Sequence, residues 1–248
     1  MILELDAGNT RIKWRVRAPS SEIVRDGSCQ LDEVAELCAN LIDQALVRRI
    51  CVSSVLFDEK LAKSLQGCVE RLGEKNIVFA KTLAACGGLT IAYVDPSRLG
   101  VDRFLAMLAA FHHYGGCILV IDAGSALTGD IVDESGSHLG GYIMNGLHVM
   151  RQVIVDRTDS ILVKEDAEFA LTPGRTTEAC VSHGALLMFQ GAVKELVAQA
   201  SAVGVARVIV TGGDAAAVVS CLSDCDLEIV LAPALVLDGL ALWAESCA

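Results

Sequence analysis

The sequence predicts an α/β fold made of two similar halves, each with a mixed sheet flanked by helices. Three observations lead there. A hairpin-like start gives way to short apolar runs that alternate with helical periods, the order expected of an α/β chain. The tripeptide Asp-Ala-Gly closes an apolar run twice, at Asp6–Gly8 and Asp122–Gly124, and one offset relates Leu3 to Leu119 and Asp6 to Asp122, close to half of the 248 residues. Apolar residues make up 53% and aromatic residues 4%, so the core is mostly aliphatic and large enough for one large or two medium domains. The expected halves are 1–116 and 117–248.

In the first half, Ile2–Leu5 is an apolar strand, Asp6-Ala7-Gly8-Asn9-Thr10 a turn, and Ile12–Val16 the returning strand, with Glu22–Val24 as a third short strand. Leu31–Val47 repeats apolar residues at a helical period, with Asp32 and Glu33 near its start. Arg49–Val55 is a buried strand. Its Ser53 and Ser54 have no GxSxG elbow around them and read as structural. Phe57–Leu72 is a second amphipathic helix, stopped at Gly73, and Asn76–Ala80 another strand. Lys81–Gly100, with Gly87, Gly88, Pro96 and Gly100, reads as a loop, and a connection of that length is often functional. It leads into a helix through Phe104–Tyr114.

The second half repeats the opening with strand Cys117–Asp122, turn Gly124-Ser125 and return strand Ala126–Val132, followed by a polar turn at Asp133–Gly136. His138–Gly146 is a strand whose Gly140-Gly141 permits close approach of a backbone or ligand. Leu147–Asp156 is a helix, while Ser160–Pro173 has no clear pattern. Thr177–Val203 is a long helix in which Gly184 and Gly191 leave room for another helix, from the core or from a second subunit. Arg207–Val210 runs into Thr211-Gly212-Gly213-Asp214, which suits either a tight turn or a base or ribose resting on bare backbone. Leu227–Leu231 and a helix to Trp243 complete the pattern.

Composition excludes several functions. The formal net charge of −11 opposes non-specific contact with nucleic acid or an anionic membrane. A phosphate site on such a chain has to bring its own cations. No apolar run reaches the length of about 20 residues of a membrane span, and the N-terminus lacks the basic region of a signal peptide. The ten cysteines are irregularly spaced, without a CxxC pair or a zinc pattern with the five histidines. They read as reduced thiols in a cytoplasmic protein.

The chemistry concentrates in three motifs. Strand, carboxylate, glycine turn and hydroxyl make a cradle for a nucleotide phosphate: glycine lets backbone N–H groups converge on an anion, and Thr10 and Lys13 add a hydroxyl donor and a positive charge. Asp6 repels phosphate directly, so its role is to hold Mg²⁺ through water. Taken alone, the pentapeptide suits an ordinary hairpin turn equally well. Its recurrence at Asp122–Ser125 favours two cradles closing on one triphosphate. In the third motif, Gly100-Val101-Asp102-Arg103, Asp102 falls near a helix N-terminus. Two readings stay open there: a helix-start carboxylate favoured by the dipole beside a surface Arg103, or a base for a substrate hydroxyl beside an Arg103 clamp on an anion.

With these motifs in hand, the chain resembles the type III pantothenate kinases of the actin and sugar-kinase superfamily from end to end. The family pattern DxGNTxxK is met by Asp6, Gly8, Asn9, Thr10 and Lys13, its GxDR by Gly100, Asp102 and Arg103, and its DxGT/S by Asp122, Gly124 and Ser125. Thr177 falls on a family threonine, and Thr211-Gly212-Gly213 resembles an adenosine-contacting turn.

The resemblance implies two ribonuclease-H-like halves in an actin-like ATPase fold, and ATP-dependent phosphorylation of pantothenate, the first step of coenzyme A biosynthesis. It makes Asp102 the proton acceptor. Tyr93, Gly100, Val101, Asp102, Arg103 and Thr177 would bind pantothenate. Asp6, Ala7, Gly8, Asn9, Thr10, Arg11, Ile12, Lys13 and Ser125 would bind ATP, and Asp122 a monovalent cation, K⁺ or NH₄⁺, needed besides Mg²⁺. It also implies a homodimer. Ser125 stands where threonine is commoner, and Asn145 where the family's GGxIxPG has proline. The alternatives are another small-molecule kinase or phosphatase of the superfamily, such as a sugar or acetate kinase or an exopolyphosphatase, and a non-catalytic transcription accessory factor on the same fold.

Overall fold

A computed structural model of the chain describes residues 1–44, 46–55, 59–158, 163 and 167–247. It divides into two compact units, 1–114 with 234–248, and 115–233. The first unit contains β1 (Ile2–Ala7), β2 (Ile12–Arg17), β3 (Ile23–Cys29), α1 (Val34–Asp43), β4 (Arg49–Ser54), α2 (Glu59–Leu72), β5 (Ile77–Phe79), the short strands β6 (Ala85–Cys86) and β7 (Leu89–Thr90), and α3 (Val101–Tyr114). The second contains β8 (Ile118–Ala123), β9 (Ala126–Val132), β10 (His138–Asn145), α4 (Leu147–Asp156), α5 (Thr177–Ala202), β11 (Arg207–Thr211), α6 (Ala215–Cys221) and β12 (Glu228–Leu231). Helix α7 (Leu235–Cys247) returns to the first unit. No described helix is long and apolar enough to cross a membrane.

The two five-stranded sheets have the same plan. Their orders are β3-β2-β1-β4-β5 and β10-β9-β8-β11-β12, with two antiparallel pairings on one side of the first strand and two parallel ones on the other. The duplication read from Asp-Ala-Gly thus extends to whole sheets. The offset holds through Gly124, then slips by one residue in the turn. Lys13 faces Asp6 in the first sheet, and Thr128 faces Asp122 in the second. Counted back from the return strands, Ser125 therefore corresponds to Thr10.

Strand alternation sorts the first sheet into two faces. Leu3, Leu5, Ala7, Ile50 and Val52 fill a core with Val34, Cys38 and Leu41 of α1 and Leu61, Leu65 and Cys68 of α2. Glu4, Asp6, Cys51 and Ser53 point the other way, where α3 packs on β4 and α7 on β1 and β4. On that face Glu4, fully buried, accepts from Arg15 Nε at 2.5 Å and Arg17 Nε at 2.7 Å. Arg15 also donates to Asp238 Oδ1 at 2.5 Å and the Leu237 carbonyl at 2.8 Å, and Arg17 to Glu245 Oε1 at 2.8 Å. These bonds hold α7 on the first sheet, whereas the sequence pattern assigns this segment to the second half. Gly239 contributes too, because a Cβ there would overlap the Leu105 backbone of α3.

Other differences from the sequence reading have local causes. Strand β3 runs on to Cys29 because it is an edge strand with exposed Arg25, Asp26 and Ser28, so it carries no apolar signal. Its Gly27 lies under the Trp14 ring, where a Cβ would sit 2.9 Å from Cζ2. The expected loop 81–100 contains the β6–β7 hairpin, turned by Gly87 and Gly88 at φ +56° and +88°, and a 3₁₀ turn at Pro96–Arg98 capped by Asp95. Leu31–Glu33 is a 3₁₀ turn leading into α1. Phe57, at the expected start of α2, and Ser160–Leu162 lie outside the described residues.

Candidate active site

At the end of β1, Asp6 is half-buried and stands across from Lys13, while Asn9, Thr10 and Arg11 of the connecting turn are exposed. Ala7 and Ile12 belong to the core at 1% exposure, so a ligand can meet only their backbone. Ser53 of β4 flanks Asp6 on its parallel side. Its hydroxyl is buried without a hydrogen-bond partner, an arrangement that costs about 1–3 kcal/mol.

The corresponding turn of the second unit is braced by two glycines. Gly146 donates its N–H to Ser125 O at 3.0 Å, and a Cβ there would overlap the Gly124 carbonyl. Gly212 has φ +99°, and a Cβ there would overlap the Ala123 carbonyl and sit 2.5 Å from Asp122 Oδ1. The Asp214 N–H donates to Ala123 O at 2.8 Å. Of the two open readings of Thr211–Asp214, tight packing thus fits Gly212, while Gly213 leaves open space above its backbone. Ser125 is exposed at the turn's tip and Asp122 half-buried, flanked by Thr128 and Thr211. Asn145, the departure from the family pattern, ends β10 paired with Ala126.

The third motif opens α3. Asp102 curls back so that Oδ1 accepts the Arg103 N–H at 2.8 Å, and Gly100 is needed there because a Cβ would sit 2.6 Å from that oxygen. Arg103 is 6% exposed and donates from its guanidinium to the Tyr93 hydroxyl at 3.2 Å. The Thr82 hydroxyl donates to Leu99 O at 2.9 Å and fixes the approach to the helix. The buried Arg103 guanidinium and the Tyr93 phenol are thereby brought together from two segments, and the Asp102 carboxylate is held at the start of the helix. Thr177 is the first, exposed residue of α5; the helix is capped by Thr176, which accepts from the Ala179 N–H at 3.2 Å.

Sequence reasoning missed two features beside these turns. His148 of α4 lies 3.4 Å from Asp214 Oδ1 and stacks edge-on against Phe169, whose ring also lies 4.9 Å from the Arg151 guanidinium carbon. Ser53 reads as merely structural in the sequence. Its place beside Asp6 follows from strand register, which a single sequence does not display.

Residues 2–199 match the family described as type III pantothenate kinase. A type III pantothenate kinase of Ectopseudomonas mendocina is 36% identical over 260 residues, covering 98% of each chain. Among solved structures, a Campylobacter jejuni protein named for the Baf family of transcriptional activators aligns with TM-score 0.60 at 20% identity over 98% of both chains. A ROK family glucokinase of Streptomyces griseus, solved with glucose and AMPPNP, aligns with TM-score 0.55 at 13% identity over 97% of both. At such identities the structural likeness carries the fold, which is that of the actin-like and sugar-kinase ATPases.

Proposed function

The chain belongs to the type III pantothenate kinase family, whose activity is ATP-dependent phosphorylation of pantothenate in coenzyme A biosynthesis, and we propose that Asp102 orients and deprotonates the primary hydroxyl of pantothenate for in-line attack on the γ-phosphoryl group. The observation that carries this reading is the grouping of Asp102, buried Arg103 and Tyr93 at the start of α3. Pantothenate is a small carboxylate with hydroxyl and amide groups. A buried guanidinium suits its carboxylate, and a phenol and a helix-start carboxylate suit its hydroxyls. Gly100, Val101 and Thr177 complete the acceptor site in this assignment.

Phosphoryl transfer passes through a loose transition state, so alignment and charge neutralisation matter more than a strong base. Asp102 accepts the proton late, when the hydroxyl has become acidic. ATP takes its phosphate contacts from the Asp6–Lys13 turn and Ser125: backbone N–H groups, the Thr10 and Ser125 hydroxyls, and the Lys13 ammonium. Asp6, a hard oxygen donor beside the turn, suits Mg²⁺ held through water, the remaining ligands coming from water and phosphate. Asp122 beside a phosphate turn would repel ATP, and a monovalent cation, K⁺ or NH₄⁺, resolves that repulsion. When bound, the two ions neutralise charge on the transferring group.

The reading includes a cytoplasmic homodimer. Gly184, Leu187, Met188 and Gly191 recur at helical spacing along α5, and Leu187 and Met188 are 62% and 53% exposed. A Cβ at either glycine would meet nothing within 4 Å. Leu139, Tyr142 and Ile143 of edge strand β10 add further exposed apolar surface. The functional test is an acceptor panel: purified chain with ATP, Mg²⁺ and K⁺ is offered pantothenate, glucose, N-acetylmannosamine and acetate, and products are read by mass spectrometry. Phosphopantothenate as the dominant product supports the assignment, and preference for a sugar or acetate overturns it.

A further inference from the structure

Ser53 carries a hydroxyl that the reaction as described does not use. It is 0% exposed, and its Oγ has no hydrogen-bond partner. Side chains alternate along β4, so that Val52 serves the α1–α2 core while Cys51 and Ser53 share the opposite face. Parallel register sets Cys51 beside Glu4 and Ser53 beside Asp6. Antiparallel register sets Lys13 on the other flank of Asp6. A row Lys13–Asp6–Ser53 therefore crosses the sheet with the turn carboxylate at its centre.

The second unit repeats the row as Thr128–Asp122–Thr211, with Thr211 1% exposed. In both sheets the strand parallel to the turn strand ends its apolar run with a buried hydroxyl, and in both that hydroxyl flanks the turn carboxylate. An apolar residue would fill either place without the desolvation penalty. Both units place a buried hydroxyl side chain at this position.

We propose that Ser53 is a positioning residue for Asp6. Its unpartnered O–H would turn to donate to one oxygen of the Asp6 carboxylate when ATP and Mg²⁺ bind, so that the other is presented to a water of that ion. A serine hydroxyl has the one donor required, and an ionised carboxylate accepts at both oxygens. Partners of this kind fix the orientation of a metal-facing group and change metal affinity about 10- to 100-fold. The inference rests on assigning the Asp6–Lys13 turn to ATP.

The test uses Mn²⁺, a paramagnetic substitute for Mg²⁺, titrated by electron paramagnetic resonance into the full chain with AMPPNP. Ser53→Ala is expected to weaken Mn²⁺ binding about tenfold, with its thermal midpoint close to wild type. Ser53→Thr, which installs the side chain that the second unit carries at Thr211, is expected to restore most of that affinity. In an Asp6→Asn background, Ser53→Ala is expected to have no further effect, because the hydroxyl acts through the carboxylate. An equal loss in both backgrounds, or a change in thermal stability with Mn²⁺ affinity untouched, overturns the proposal. If wild type binds Mn²⁺ and AMPPNP and Ser53→Ala binds them equally well, only this inference falls. If wild type fails to bind AMPPNP, the ATP assignment falls and takes the inference with it.

Discussion

Asp6 and Lys13 face each other across β1 and β2, whereas at the same place in the second sheet Asp122 faces Thr128. One scaffold thus carries two kinds of row. The first contains its own cation. The second sets a carboxylate between hydroxyl side chains, and this contrast supports the proposal that Lys13 serves ATP and Asp122 a monovalent ion.

Lys13→Met should therefore raise KM for ATP with little change in KM for pantothenate. A charge-assisted hydrogen bond is worth about 1.5–3 kcal/mol, or roughly 10- to 150-fold in affinity. Initial-rate kinetics with each substrate varied would detect it, and an unchanged KM for ATP would remove Lys13 from the site.

Gly146→Ala and Gly212→Ala should impair the second turn from opposite sides. The added methyl overlaps the Gly124 carbonyl in one and the Ala123 carbonyl in the other, and Gly212 also has φ +99°. Backbone on both sides cannot yield as a flexible side chain would, so both variants should lose ATP affinity and show altered K⁺ dependence. Gly213→Ala, with open space above it, should fold normally.

Glu4 and Glu245 should differ sharply in stability. Glu4→Ala leaves the Arg15 and Arg17 side chains, each 8% exposed, without their shared carboxylate and should cost about 3–5 kcal/mol. The Glu245 side chain is 58% exposed, and Glu245→Ala should cost under about 1 kcal/mol. Denaturant unfolding of the two variants would separate them; equal losses would contradict the assignment of the cluster as the anchor of α7.

Alkaline pH should loosen the first unit through Cys51. Burial pushes its thiol up to about 11, with Glu4 adding to the rise and Arg49 and Arg17 opposing it. A raised folded-state value means that stability is fully present below the ordinary thiol value of 9.0 and is lost as pH climbs through 11. Wild type should therefore lose stability between pH 9 and 11, by up to about 3 kcal/mol for a shift of this size. Cys51→Val should flatten that part of the profile, and identical profiles would contradict the buried-thiol account.

Much of this architecture is legible in the sequence, because apolar alternation and turn chemistry are local. The runs Ile2–Leu5 and Ala126–Val132, the Leu147–Asp156 helix and the repeated Asp-Ala-Gly all announce themselves that way. What escapes is set by register or by distant partners. Strand β3 beyond Val24 is polar on an exposed edge. Helix α7 is fixed by Arg15 through Asp238, 223 residues away. Ser53 gains its meaning only when β4 lies beside β1 in register. Asp102 is conspicuous as a helix-start carboxylate, but its return to the Arg103 N–H, and the consequent need for glycine at 100, appear only in three dimensions.

The most direct test of the account is the rate of phosphopantothenate formation by wild type and Asp102→Asn, with ATP and Mg²⁺ and with K⁺ present or omitted. Wild type should require both ATP and K⁺, and Asp102→Asn should lose about 10²-fold or more in kcat while remaining folded. A folded Asp102→Asn protein that keeps most of the wild-type rate would contradict the assignment of Asp102.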